Sequence, residues 1–351
     1  MSETHSPSQA GTQAGTQAGR QGDTPSRRGI RPSQGGGPSG LPGRTARRPT
    51  HIPLRGWRQV LRRTLREVAS DRGSLIASGC AFWATLSLFP ALSMLVSLYG
   101  LLFDPESVEP QLDNIRHLLP APAFALIAER VRTLVSHPGS TLGVSLLIST
   151  AVTLWSASTG TKSLLSALNL AYEEQEQRGF VKFQAVGLLM TLGAILGAIL
   201  GLAILVLLPA VISFLGLSAY TKGLVRFGAF AVLVGFVLLA LSLLYRFGPS
   251  RRAARWHWIT PGSLVATVLW LIASVLFSFY VQDLASYDVT YGPLGAVAGI
   301  MMWFWVTAYV VLLGAELNAE LELQTEEDTT EGGPRPMGER GAFVADHVAE
   351  E

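Results

Sequence analysis

The sequence predicts an all-α integral membrane protein, a six-transmembrane-helix bundle with an N-terminal amphipathic helix. Three observations carry that expectation. Charged residues make up 15% of the 351 and hydrophobic ones 49%, whereas a soluble protein uses about 25% charge to cover its surface. Six long runs contain no Asp, Glu, Lys or Arg, each near or above the roughly 20 residues that a helix needs to cross a bilayer. Lys and Arg are also unevenly divided among the segments between those runs. The first observation argues against a soluble enzyme.

Residues 1–55 form a basic tail rich in Gly, Ser and Pro, with Thr-Gln-Ala-Gly repeated from Thr12 and Thr16. Such a segment buries too little apolar surface to offset its ordering entropy, so it is expected to be disordered. It has no apolar core of a cleavable signal peptide. Its arginines are expected to be drawn to anionic headgroups rather than to a specific nucleic acid. From Trp57 to Arg72 the residues Trp57, Val60, Leu61, Leu65 and Val68 share one helical face with arginines opposite, the pattern of a helix lying on the cytoplasmic leaflet.

The membrane domain is expected over 56–322, with spans at about 74–103, 140–161, 183–211, 225–245, 258–281 and 292–315. Runs this long and apolar satisfy their backbone groups as helices. The strands of a membrane barrel would alternate over about ten residues instead. The second span is the most polar, being rich in Ser and Thr. Between the first two spans, residues 104–137 form the one substantial outside loop, where Phe124, Ile127, Val131 and Leu134 have helical spacing. The tail, 323–351, is acidic and contains Gly and Pro, and is expected to be disordered.

Orientation follows from the cations. Six spans with the N-terminus inside place 22 Lys and Arg on the cytoplasmic side and 5 outside. Thirteen of the 22 are arginines ahead of the first span. Both termini are therefore expected in the cytoplasm.

The search for chemistry returns little. Cys80 is the single cysteine, which rules out an intrachain disulfide and a cysteine-built metal site. No two of the six histidines have metal-ligand spacing, and neither a phosphate-binding glycine loop nor a Gly-x-Ser-x-Gly elbow occurs. No catalytic residue, metal or cofactor is expected. Polar residues in or beside spans are costly and often functional, which makes Asn169, Arg246, Tyr287, Tyr291, Glu316 and Asn318 the candidates for a polar path. The plainer alternative places the tyrosines in interfacial belts and the charges at span ends in water. Glu316 directly follows an apolar run and is expected to face the bundle, where it could pair with Arg246 or another loop arginine. Gly193, Gly197 and Gly201 in the third span, and Gly295 and Gly299 in the sixth, have the four-residue spacing that lets helices approach closely. Pro90 is expected to kink the first span.

Several runs, taken in order, form a larger pattern. They are Ser87-Leu-Phe-Pro90, Leu154-Trp-Ser-Ala-Ser158, Asn169-Leu-Ala-Tyr172, Tyr245-Arg246 with Pro249, and Pro261-Gly262 with Trp270. Tyr287-x3-Tyr291-Gly-Pro-Leu-Gly295 and Leu313-Gly-Ala-Glu-Leu-Asn-Ala-Glu320 complete it. Over residues 57–322 this set resembles the YihY/virulence-factor-BrkB family of bacterial inner-membrane proteins. The resemblance implies six spans with both ends in the cytoplasm. Some family members carry the label ribonuclease BN, which the residues above do not support, so ribonuclease activity is not expected. The link of others to virulence and the envelope implies, by analogy alone, movement of a lipid or other amphipathic envelope component. The alternative is a non-transporting scaffold for envelope assembly. The expected partners are membrane lipids, with a homo-oligomer and envelope proteins left open, and the expected location is the inner membrane.

Overall fold

The computed structural model describes residues 42–69, 71–102, 142–204, 219–284 and 293–349. The main elements are α1 (Leu54–Ala69), α2 (Asp71–Leu102), α3 (Leu142–Ala171), α4 (Phe180–Leu202), α5 (Ala219–Phe247), α6 (Trp256–Leu284) and α7 (Pro293–Leu323). A 3-10 turn at Pro49–His51 precedes them and a single helical turn, α8 (Phe343–Asp346), follows. No strand occurs among the described residues, where β pairing is limited to one bridge between Ala254 and Thr330. The 104–137 loop lies outside the described residues.

Among the described residues, four helical stretches are long and apolar enough to cross a membrane: Phe180–Gly201, Tyr220–Phe247, Trp256–Val281 and Val297–Leu323. Their outward residues, among them Leu196, Val232, Ile272 and Leu276, are exposed in the isolated chain. A contiguous apolar surface of this extent is untenable in water and suits hydrocarbon. Among the described side chains of α2, Gly73–Leu88 form an apolar stretch, and α2 continues as one helix through Pro90.

The helices α2 to α7 close into a ring. Each packs on its successor or on α7, which contacts α2, α3 and α6. The exception is the seam between α4 and α5, where contact is sparsest. The best-buried side chains, including Trp258, Tyr172, Tyr245, Leu168 and Leu321, gather at one end of the ring. There α3 and α7 finish and α4 and α6 begin.

Two close approaches set the packing. A Cβ on Gly262 of α6 would fall on the Gly314 carbonyl oxygen of α7, and one on Gly314 would meet the Tyr245 hydroxyl. Asn318 Oδ1 accepts the Gly262 N–H at 2.8 Å across the same contact. Of the predicted glycine stripe, Gly197 meets the Phe236 ring of α5, Gly201 barely reaches Leu233, and Gly193 faces open space, as does Gly295.

Both tails need correction. The acidic tail, expected to be disordered from residue 323, is folded as far as it is described, with Val344 and Thr330 fully buried. The reason is electrostatic. Its carboxylates are counter-ions for arginines remote in sequence: Glu326 pairs with Arg44, Glu327 with Arg47 and Glu331 with Arg246. Arg340, 5% exposed, ties the tail to itself by donating to the Ala345 and Glu326 carbonyls at 2.7 Å. The last part of the expected basic tail is likewise ordered. Residues 42–52 bury Ala46 and Ile52, and Thr325 Oγ1 donates to the Ala46 carbonyl at 2.8 Å. Composition counts neither set of partners.

The expected apolar face of α1 is divided between the bundle and the outside. The buried line is Gly56, Val60, Thr64 and Val68, packed toward α7 and α2, while Leu61 and Leu65 are exposed. Arg63 reaches Glu320 at 2.7 Å and Gln324 at 2.6 Å.

Candidate functional site

The sparse α4–α5 seam leaves a partly open cavity of about 1750 Å³. Its walls are apolar, with Leu189 and Met190 from α4, Phe236 and Leu244 from α5, Trp270 from α6 and Val311 from α7. Gly193 lies on the wall with open space beyond its Cα. The mouth is different in kind. Arg178, Lys182, Arg246, Arg251 and Arg252 line it, with Phe343 and His347 of the folded tail beside them.

The mouth is built by two loops that hold one another. Near the end of α3, Asn169 Oδ1 accepts the Ser250 N–H at 2.7 Å, and the Ser250 hydroxyl accepts the N–H of Gln177, in the loop after α3, at 3.0 Å. Arg178 donates to both Glu176 oxygens at 2.7 Å and to the Gly248 carbonyl at 2.9 Å. Arg251, fully buried, donates to both Glu322 oxygens at 2.7 and 3.1 Å and lies 4.2 Å over the Tyr172 ring. Arg246 donates to the Ala254 carbonyl, pairs with Glu331 and lies 4.5 Å over Trp256.

Among the described residues of the candidate polar path, Arg246 alone lines the cavity. It pairs with Glu331, whereas Glu316 was expected to pair with it or with another loop arginine. Glu316, 9% exposed, lines a separate small cleft with Val68, Ala171 and Tyr309. Asn169 and Asn318 hold backbone groups of neighbouring segments, as described above. Tyr287 and Tyr291 lie outside the described residues. Sequence reasoning did not single out Arg251, Arg252, Lys182 or Glu174 for this site. Their signal was a basic loop and a helix start that alternate with acidic positions elsewhere, and the match becomes visible only once the chain is folded.

Glu174 is a titratable group at the mouth. Burial pushes its carboxyl up to about 7, even though the Phe343 N–H bonds it at 2.7 Å. An unfolded glutamate titrates near 4.3. The folded state therefore binds this proton more tightly, and Glu174 makes stability fall as pH rises from the unfolded value through about 7. Glu174→Gln keeps an acceptor for Phe343 and removes the penalty. It is expected to be more stable than wild type at pH 8 by about 2 kcal/mol, allowing for partial solvation, and equal at pH 4. Thermal midpoints at the two pH values check this. Parallel wild-type and variant profiles would exclude it.

Long apolar helices with unpartnered outer faces, closed around an amphipathic cavity, define a multi-pass membrane protein. Residues 64–337 match the family described as virulence factor BrkB, and the chain belongs to that family. Among similar proteins, one from Bacillus subtilis is 30% identical over 74% of this chain and 92% of its own, and bears a ribonuclease-like name, YfkH. A UPF0761 membrane protein of Alteromonas mediterranea is 27% identical over 78% of this chain and 91% of its own. Another, from Pseudoalteromonas translucida, is 23% identical over 78% and 88%. No solved structure matches. Among the described residues, no group of three or more His, Cys, Asp or Glu is placed to hold a metal ion.

Proposed function

We propose that this protein is a six-span, non-enzymatic carrier of the bacterial inner membrane that moves a lipid or other amphipathic envelope component across the bilayer. The observation that supports this reading is the cavity of about 1750 Å³ between α4 and α5. Its apolar wall suits acyl chains and its basic mouth suits a polar head. Helices α2 to α7 would supply the six spans. The end carrying the arginine-rich segments would face the cytoplasm with both termini, and α1, with Leu61 and Leu65 outward, would rest on the inner leaflet.

The test uses the full chain in vesicles carrying an acyl-chain fluorescent lipid, with quencher added outside. Transbilayer movement is measured with and without an imposed proton gradient. Movement at least about tenfold above protein-free vesicles is expected, lost in Gly193→Trp, whose indole fills the open cavity wall. Movement equal to protein-free vesicles, or undiminished in Gly193→Trp, would overturn the reading. The folded cap of 42–52 and 323–349 favours a second reading, a scaffold for envelope assembly. A scaffold would give the first of those negative results.

A further inference from the structure

The mouth of the cavity holds more cationic donors than its own carboxylates use. Three buried guanidinium N–H groups find no partner among the described residues: Arg246 Nε, Arg251 Nε and Arg252 Nη1. All three arginines line the same cavity, and Arg246 is only 5% exposed. Orphaned buried donors are costly, more so on charged groups. Arg246 and Arg251 have Glu331 and Glu322. Neither Arg252 nor Lys182 has a carboxylate partner among the described residues. Asp346 also lines the mouth, but its oxygens are taken by the N–H groups of Gly338, Arg340 and Gly341 at 2.7 to 3.1 Å. The other lining carboxylate, Glu174, accepts the Phe343 N–H. The start of α4 opens on the same place. Gly179 there provides no side-chain cap, and the first N–H groups of a helix attract anions.

We infer that the mouth binds a phosphate-type anion, carried as the headgroup of a lipid whose acyl chains occupy the apolar wall, with Arg252 and Lys182 as its principal charge partners. This deepens the carrier reading and rests on it. The lipid is favoured over free phosphate because the anion site and the apolar wall are one continuous space. A free anion would leave that wall empty.

The test measures binding to the purified full chain in neutral detergent by native mass spectrometry. The probes are dioctanoyl phosphatidate, dioctanoylglycerol and inorganic phosphate, and the variants are Arg252→Gln, Lys182→Gln and Gly193→Trp. Lys182 is exposed, so its substitution spares the fold. Phosphatidate is expected to bind at least about tenfold more tightly than dioctanoylglycerol, the scale of one charge-assisted hydrogen bond. That preference should shrink in both charge variants, while Gly193→Trp should lose both lipids. Equal binding of the two lipids, both lost in Gly193→Trp, would overturn the anionic assignment and leave the carrier standing. Phosphate binding as tightly as phosphatidate would overturn the lipid assignment. Binding of neither lipid, or lipid binding indifferent to Gly193→Trp, would sink this inference and the carrier together.

Discussion

Arg251→Ala is expected to lower stability by about 3–5 kcal/mol, the usual result of removing one partner of a buried ion pair. Arg251 and Glu322 have fully buried side chains and make two hydrogen bonds to each other. Glu322 also accepts the Thr329 hydroxyl at 2.7 Å. The pair therefore fastens the loop after α5, the end of α7 and the start of the tail. Truncation strands the Glu322 carboxylate away from water, and that stranded charge, more than the lost attraction, dominates the effect. The double variant Arg251→Met, Glu322→Leu should consequently be less destabilised than Arg251→Ala, because it leaves neither charge behind. Thermal unfolding in a single detergent checks both statements. An Arg251→Ala midpoint equal to wild type would show that the pair contributes nothing to this end of the bundle.

Gly262→Ala is expected to cost about 1–3 kcal/mol, the range for forcing extra volume into a packed contact. The new methyl would fall on the Gly314 carbonyl oxygen, a backbone atom that cannot rotate away, and on Asn318. Opening α6 from α7 would also stretch the Gly262–Asn318 hydrogen bond. Gly193→Ala is the control, since nothing lies within 4 Å of its Cβ position, and no loss of stability is expected there. Equal midpoints for the two alanine variants would contradict the close approach.

These two sites show what the sequence could and could not convey. Membrane helices are legible because a span must be apolar over its whole length, a one-dimensional property that charge-free runs report directly. The runs ending near Tyr245 and Ala315 and starting near Trp256 fall on α5, α7 and α6. Packing glycines are less legible. The stripe at 193, 197 and 201 has the motif spacing, yet only Gly197 meets a neighbour closely. Gly262 is the one glycine of α6 and Gly314 lies apart from the 295/299 pair of α7, yet these two make the tight contact, and both sit in motifs that carried the family resemblance. The bundle-facing line of α1 was half legible, because a count of apolar residues passes over Gly56 and Thr64, its small members. The tail was misread for a related reason. Acid-rich, Gly-containing sequence reads as solvated when taken by itself, while Glu322, Glu326 and Glu331 have partners 71, 282 and 85 residues away along the chain. The cavity left no linear trace, since it arises where the contact between α4 and α5 is sparse.

The pairing of Arg44 with Glu326 and the bond from Gln324 to the Pro42 carbonyl, 2.9 Å long, join positions 282 residues apart. A ribosome adding about 5–20 residues per second takes roughly 15–60 s to make the second partner after the first. Throughout that interval residues 42–52 lack the partners that the end of α7 and the tail supply. The cap is thus the last part of the molecule to be assembled, completed only after α7 has been made. A chain that stops before residue 324 would carry α1 to α7 but could not fasten residues 42–52 to the end of α7, leaving that segment more open to proteolysis.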